Sequence, residues 1–169
     1  MASNLIYFVE GECEKAFLKS FIFSADKHFK LGRVEVFNFI NERLSKQKAR
    51  SINERMSVAI VFDTDVDKTD LLDENIKVLK TVSQLNDDHI ILIPSIKTFE
   101  DEIVYSCVKL KTIHELFKTK SVSEFKKKFI NHSDLISKLE EVGFNLELMW
   151  SREAKPPFNK YTNSSKKIK

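Results

Sequence analysis

A chain of 169 residues with 42% hydrophobic content can bury one sizeable core, and its three glycines and three prolines argue against linkers, collagen-like repeats and a turn-rich all-β protein. The charged residues, 31% of the total, mix both signs and sum to only +3, which excludes a disordered polyelectrolyte. Two cysteines, Cys13 and Cys107, make neither a disulfide framework nor a zinc site; no apolar run approaches the ~20 residues that span a bilayer, and no signal-peptide pattern opens the chain, so a reducing, cytoplasmic setting is expected.

Residues 5–9 (Leu-Ile-Tyr-Phe-Val) read as a short buried strand ended by Glu10-Gly11. Residues 12–28 read as a helix with Ala16, Phe17 and Phe21 inward, and residues 34–39 as a second strand. Residues 40–51 are polar and basic, a helix or an exposed connection. Residues 58–62 (Val-Ala-Ile-Val-Phe) form the clearest strand. Leu72, Ile76, Leu79 and Val82 give residues 68–85 helical spacing. Residues 89–93 are a fourth strand stopped by Pro94, and helical patterns follow over 99–117, 122–130 and 135–142. Residues 152–169 contain Pro156-Pro157 and then polar residues, and the end of this stretch is expected to be disordered or ordered only by a partner.

Alternating strands and helices imply a parallel sheet with right-handed crossovers. The carboxyl ends of its strands then share one edge, where open α/β sheets bind ligands. Glu10, the pair Asp63 and Asp65, and Ser95 follow strands one, three and four. The chain therefore ends its best strand in three alternating acids, Asp63, Asp65 and Asp67. Crowded carboxylates repel unless a cation joins them or some protonate, and oxygen ligands suit Mg²⁺ or Mn²⁺. Glu14, four residues after Glu10, is either a fourth ligand or an ordinary acid at a helix start. Four carboxylates suffice for one or two ions, and two ions roughly 4 Å apart serve phosphodiester hydrolysis.

Other readings of residues 63–67 fit less well. A calcium loop needs Gly where Lys68 stands. A haloacid-dehalogenase-type phosphatase carries its Asp-x-Asp on the first strand. A response-regulator receiver matches Glu10, Asp63 and Ser95 but lacks its paired acids and a lysine after a fifth strand.

Phe8-Val-Glu-Gly-Glu-Cys-Glu14 and Ile60-Val-Phe-Asp-Thr-Asp65, about fifty residues apart, resemble the Toprim family, the catalytic module of topoisomerases, primases and OLD-family nucleases. The resemblance covers roughly residues 4–105. It implies a Toprim-like parallel four-stranded sheet flanked by helices, with Glu10, Asp63 and Asp65 as metal ligands. Glu14 matches a second acid of the OLD-like and RloB-like branch. Glu100 is similar to an acid in that branch's segment after strand four, although Pro94 to Glu100 is spaced more widely here. There is no room for a topoisomerase's tyrosine domain or a primase's zinc part, and no phosphate-binding Gly-Lys-Ser/Thr loop, so no ATPase is fused. Similarity to the small Toprim subunits of bacterial antiphage defence systems implies a separate ABC-type, OLD-like ATPase partner.

The second part of the chain is lysine-rich: residues 105–132 hold seven lysines against two glutamates. This predicts a Toprim core over residues 1–105 and a helical, basic extension of the same domain over 106–169. Lys97, Lys109, Lys111, Arg152, Lys155 and Lys160 are candidates to hold a nucleic acid backbone, or belong to a solvated face. Trp150 is a candidate interface anchor. The four histidines have no metal-ligand spacing, and Cys13 has no evident activating neighbour. The expected function is a Mg²⁺- or Mn²⁺-dependent nuclease acting on DNA or RNA, tRNA included, as the toxic effector of an antiphage system. The alternative is a catalytically silent partner-binding or receiver-like signalling module.

Overall fold

Side chains alternate across a strand, so a strand covered on both faces needs apolar residues at both parities. Strands β1 (Leu5–Val9) and β3 (Ser57–Asp63) meet that demand. In the computed structural model, which describes residues 4–26 and 28–169, they lie side by side at the centre of a four-stranded, wholly parallel sheet. The order is β2 (Arg33–Val36), β1, β3, β4 (Ile90–Ser95). Leu5, Tyr7, Val9, Ala59, Val61, Ile91 and Ile93 face one core. Ile6, Phe8, Val58, Ile60, Phe62 and Ile90 face the other. The first core is closed by helices α1 (Glu12–Ile22), α4 (Phe99–Ser106), α5 (Val122–Ile130) and α6 (Leu135–Glu141). The second is closed by α2 (Lys46–Arg50) and α3 (Asp70–Val82). This is the α/β class expected, with the four parallel strands flanked by helices that a Toprim-like fold requires.

The chain leaves β1 for β2 on one side and returns to β3 on the other. The switch point of the sheet therefore lies between the carboxyl ends of β1 and β3, the crevice that binds ligands in such sheets. Glu10 and Asp63 stand there.

Several boundaries differ from the sequence reading for local reasons. Helix α1 ends at Ile22, where the Ser24 hydroxyl takes the Phe21 carbonyl; Lys27, inside the expected span, lies outside the described residues. Strand β2 ends at Val36 because Asn38 Oδ1 accepts the N–H groups of Ile40 and Asn41, a side-chain turn. Pro94 does not stop β4. Two residues earlier, Leu92 turns its carbonyl away from β3 to accept from Ser164, so the imide of Pro94 falls on the side that needs no ladder bond. Helix α4 ends at Ser106, not near 117, because Val108 and Lys109 give their N–H groups to Gly143 and Val142; a 3₁₀ turn at Ile113–Leu116 follows.

The largest correction concerns the end of residues 152–169, which, like the rest of that stretch, is built into the fold. Phe158 and Tyr161 stack on Phe62 in the second core. Ser164 bonds β4, and Ile168 is buried in the first core, its carbonyl accepting from Lys30. Trp150 is fully buried and is no interface anchor: its indole packs on Phe17 and Phe29 and donates to Ser95 Oγ. Among the described residues, no helix is long and apolar enough to cross a membrane.

Candidate metal centre

The sheet edge is organised by Glu10. One carboxylate oxygen accepts the backbone N–H of Asp63 across the β1–β3 gap (3.1 Å), and the other accepts the Asn38 amide from beyond β2 (3.0 Å). Three strands thus converge on one side chain. Asp63 ends β3, paired with Ser95 of β4, and keeps the parity of Ala59 and Val61, which turns it toward the α1 face. Thr64 pins the strand end: its N–H bonds the carbonyls of Ser95 (3.1 Å) and Lys97 (2.9 Å), and its hydroxyl accepts from Lys97 N–H (2.9 Å). That lock holds Asp63 and the exposed Asp65 on either side of a fixed residue.

Burial drives the electrostatics. It pushes the Asp63 carboxyl up to about 9, aided by the charges of Glu10, Glu14, Glu100 and Asp65. Burial likewise takes Glu10 to about 7, against the pull of the Asp63 N–H and Asn38, and Glu14 to about 7. Four acids disfavour the charged form of Asp63, and no lysine or arginine lies within ion-pair distance of it among the described residues. Its Oδ1 is one of three buried side-chain atoms without a hydrogen-bond partner among the described residues. An unpaired anionic oxygen withdrawn from water is costly unless a proton or a cation completes it. Glu10, Asp63 and Asp65 therefore suit a hard divalent ion in donor type, and the orphaned oxygen is where it would bind. No three acids, histidines or cysteines among the described residues are gathered into a ready-made ligand set, so side chains must turn inward to bind one.

The other candidates divide. Glu14 is buried at the start of α1, where the backbone N–H groups of Glu14 itself and of Gly11 favour its charged form against the larger effect of burial, as suits a helix-start acid. Its charge still acts on Glu10 and Asp63. Glu100 on α4 joins the group from the other side, 3.3 Å from Lys126 Nζ. Asp67 is exposed.

Among the cations, Arg152 is committed elsewhere. It pairs with the fully buried Glu102 (2.9 Å) and lies over the Tyr105 ring. Glu102 also accepts from Ile96 N–H and Trp150 N–H, which fastens the turn after β4 to the start of the C-terminal segment. Lys160 pairs with Asp73 (2.6 Å), and Lys109 donates to the Glu141 carbonyl. Lys97, Lys111 and Lys155 are exposed. Cys13 is buried and pushed up to about 12 by burial and then by Glu100 and Glu14, so its thiol is inert. Asn38 and Lys126 were not singled out in the sequence. Neither carries a motif, although Asn38 closes a strand and Lys126 sits in a run of three lysines. No protein family, curated protein or solved structure matches the chain.

Proposed function

We propose that the protein is a divalent-cation-dependent nuclease that hydrolyses phosphodiesters of DNA or RNA, tRNA included, at the carboxyl edge of β1 and β3. The observation that carries this reading is the orphaned Asp63 oxygen beside Glu10 at the switch point of the sheet. Glu10, Asp63 and Asp65 are the residues to hold Mg²⁺ or Mn²⁺. Bound there, such an ion would polarise the scissile phosphate and lower the pKa of a water. The chain's own part is separable. Asn38 and the Asp63 N–H orient Glu10, and Thr64 fixes the β3 end. Glu14, raised to about 7, is suited to take a proton near neutral pH. Exposed Lys97, Lys111 and Lys155 supply a polyanion with charge, while Arg152 and Lys160 hold the fold. The resemblance to small Toprim subunits extends the proposal to a cytoplasmic antiphage effector held by an OLD-like ATPase.

The test is cleavage of labelled tRNA, single-stranded RNA, single-stranded DNA and duplex DNA, with Mn²⁺, with Mg²⁺ and with EDTA. Expected is cutting of at least one substrate that EDTA and Asp63→Ala both abolish. Cutting that survives both overturns the proposal.

One observation favours a second reading. The acids do not form a ready-made ligand set among the described residues, as suits a silent binding module. A receiver is the weaker form of it, because after β4 the described chain makes helices and no fifth strand. A module without metal chemistry shows no thermal shift with Mn²⁺.

A further inference from the structure

A cleft of about 750 Å³ opens between Phe117 and the last turns of α5. A second, of about 480 Å³, continues from it toward Lys118 and Lys138. Phe117, Lys128 and His132 line both and form their common wall. Phe117 and His132 are half-buried, with ring centres 5.2 Å apart. Phe117 also meets the rings of Phe125 and Phe129, both wholly buried, so the wall is rooted in the first core. Its backbone is clamped as well. Lys128 Nζ donates to the Phe117 carbonyl (3.3 Å), and Thr119 N–H to the His114 carbonyl (3.0 Å). Between them Lys118 is held at φ +52, a left-handed conformation that lysine rarely takes and that persists only where neighbours impose it. Asp134 N–H donates to His132 Nδ1 (3.2 Å), which puts the proton of the neutral ring on Nε2 as a further donor.

The charges around the wall divide into committed and uncommitted. Lys128 pairs with Glu124 (3.2 Å) and Lys138 with Glu141, while the Asp134 carboxylate caps α6 through Ser137 N–H. Lys118 and Lys127 are exposed and, among the described residues, in no ion pair. A part-open aromatic surface with two uncommitted ammonium groups beside it matches a nucleotide, the base on the rings and the phosphate on the lysines.

We propose that this cleft is a binding subsite for single-stranded nucleic acid, RNA or DNA, outside the metal centre. A base lies on the Phe117 and His132 wall, and the flanking phosphates meet Lys118 and Lys127. The larger cleft has room for one nucleotide. A duplex is the poorer ligand, because its bases are stacked on one another and offer the wall no free face. The inference rests on the nuclease reading for the class of ligand and narrows it to single strands; binding here needs no metal.

The test is fluorescence anisotropy in EDTA, with labelled oligouridine, oligothymidine and a duplex of equal length, over a range of salt. Wild type is expected to bind both single strands more tightly than the duplex. Phe117→Leu keeps an apolar side chain but removes the aromatic face, and should weaken single-strand binding about 10-fold with an unchanged salt slope. Phe117→Tyr should restore it. Lys127→Gln and Lys118→Gln should each lower the slope of log affinity against log salt by about 0.7, one phosphate's share. Both lysines are exposed, so these two variants decide alone if Phe117→Leu does not fold. Duplex binding as tight as single-strand binding, variants that all match wild type, or no binding in EDTA overturns the inference and leaves the metal centre standing. Binding in EDTA without any metal-dependent cleavage removes the nuclease reading and leaves the cleft.

Discussion

Asp63→Asn in the metal-free protein is the most direct probe of the edge. Burial and then four neighbouring acids raise this carboxyl from 3.8 to about 9. In an acid whose folded pKa is raised, the associated stability is complete below the unfolded value and is lost as pH rises toward the folded one. The window here runs from about pH 4 to pH 9. By pH 7 the unfolded chain has lost a proton that the folded chain retains, over about three pH units at ~1.4 kcal/mol each, a ceiling near ~4 kcal/mol. Part of the shift comes from Glu10 and Glu14, themselves half-protonated near pH 7, which brings the expected effect to about 3 kcal/mol. Asparagine copies the neutral acid and carries no such penalty. In EDTA at pH 7.5, Asp63→Asn should therefore melt roughly 6–12 °C above wild type. Mn²⁺ at about 1,000 times its dissociation constant should reverse the order, because it adds ~4.1 kcal/mol to wild type alone. The assay is differential scanning fluorimetry at pH 5, 7.5 and 9, with and without Mn²⁺. The reasoning is refuted if Asp63→Asn is no more stable than wild type in EDTA at pH 7.5.

Three further outcomes are expected. Because the Asp63 carboxyl is protonated up to about pH 9, Mg²⁺ binding at pH 7.5 should release about one proton and tighten several-fold per pH unit between 7 and 9; calorimetry in buffers of different ionisation enthalpy reads both, and a flat affinity contradicts it. Asn38→Ala removes the amide that orients Glu10 and should weaken Mn²⁺ binding about 10-fold with the fold intact; unchanged affinity would free Glu10 of that role. Glu102→Gln breaks a buried pair with Arg152 and should cost about 3 kcal/mol in urea unfolding, whereas a loss below ~0.5 kcal/mol would show the pair to be dispensable.

The sheet and the positions of Glu10, Asp63 and Asp65 were legible in the sequence for one physical reason. A strand buried on both faces is an unbroken apolar run, and an acid after it marks its end, as at Val9-Glu10 and Phe62-Asp63. Helices α5 and α6 were legible because amphipathic spacing is local. What was not legible depended on distant partners. The polar end of residues 152–169 reads as disorder, yet Phe158, Tyr161 and Ile168 are enough to bind the segment once Phe62 and the two cores exist. Arg152 looks like a free cation until Glu102 is seen buried beneath it. Lys126 differs from Lys127 and Lys128 only by helix rotation relative to Glu100, a fact of packing that no motif records.

The course of residues 152–169 bears on how other molecules can approach. By crossing from the Phe62 side to the Ile168 side and bonding Leu92 on the way, this segment occupies the outer rim of β4. The opposite rim is β2, four residues long and carrying the charged network of Arg33, Glu35 and Lys48. A short, charged rim is a poor template for adding a strand. Neither border of the sheet thus invites β-augmentation, and any companion subunit would have to dock through helical surfaces and loops.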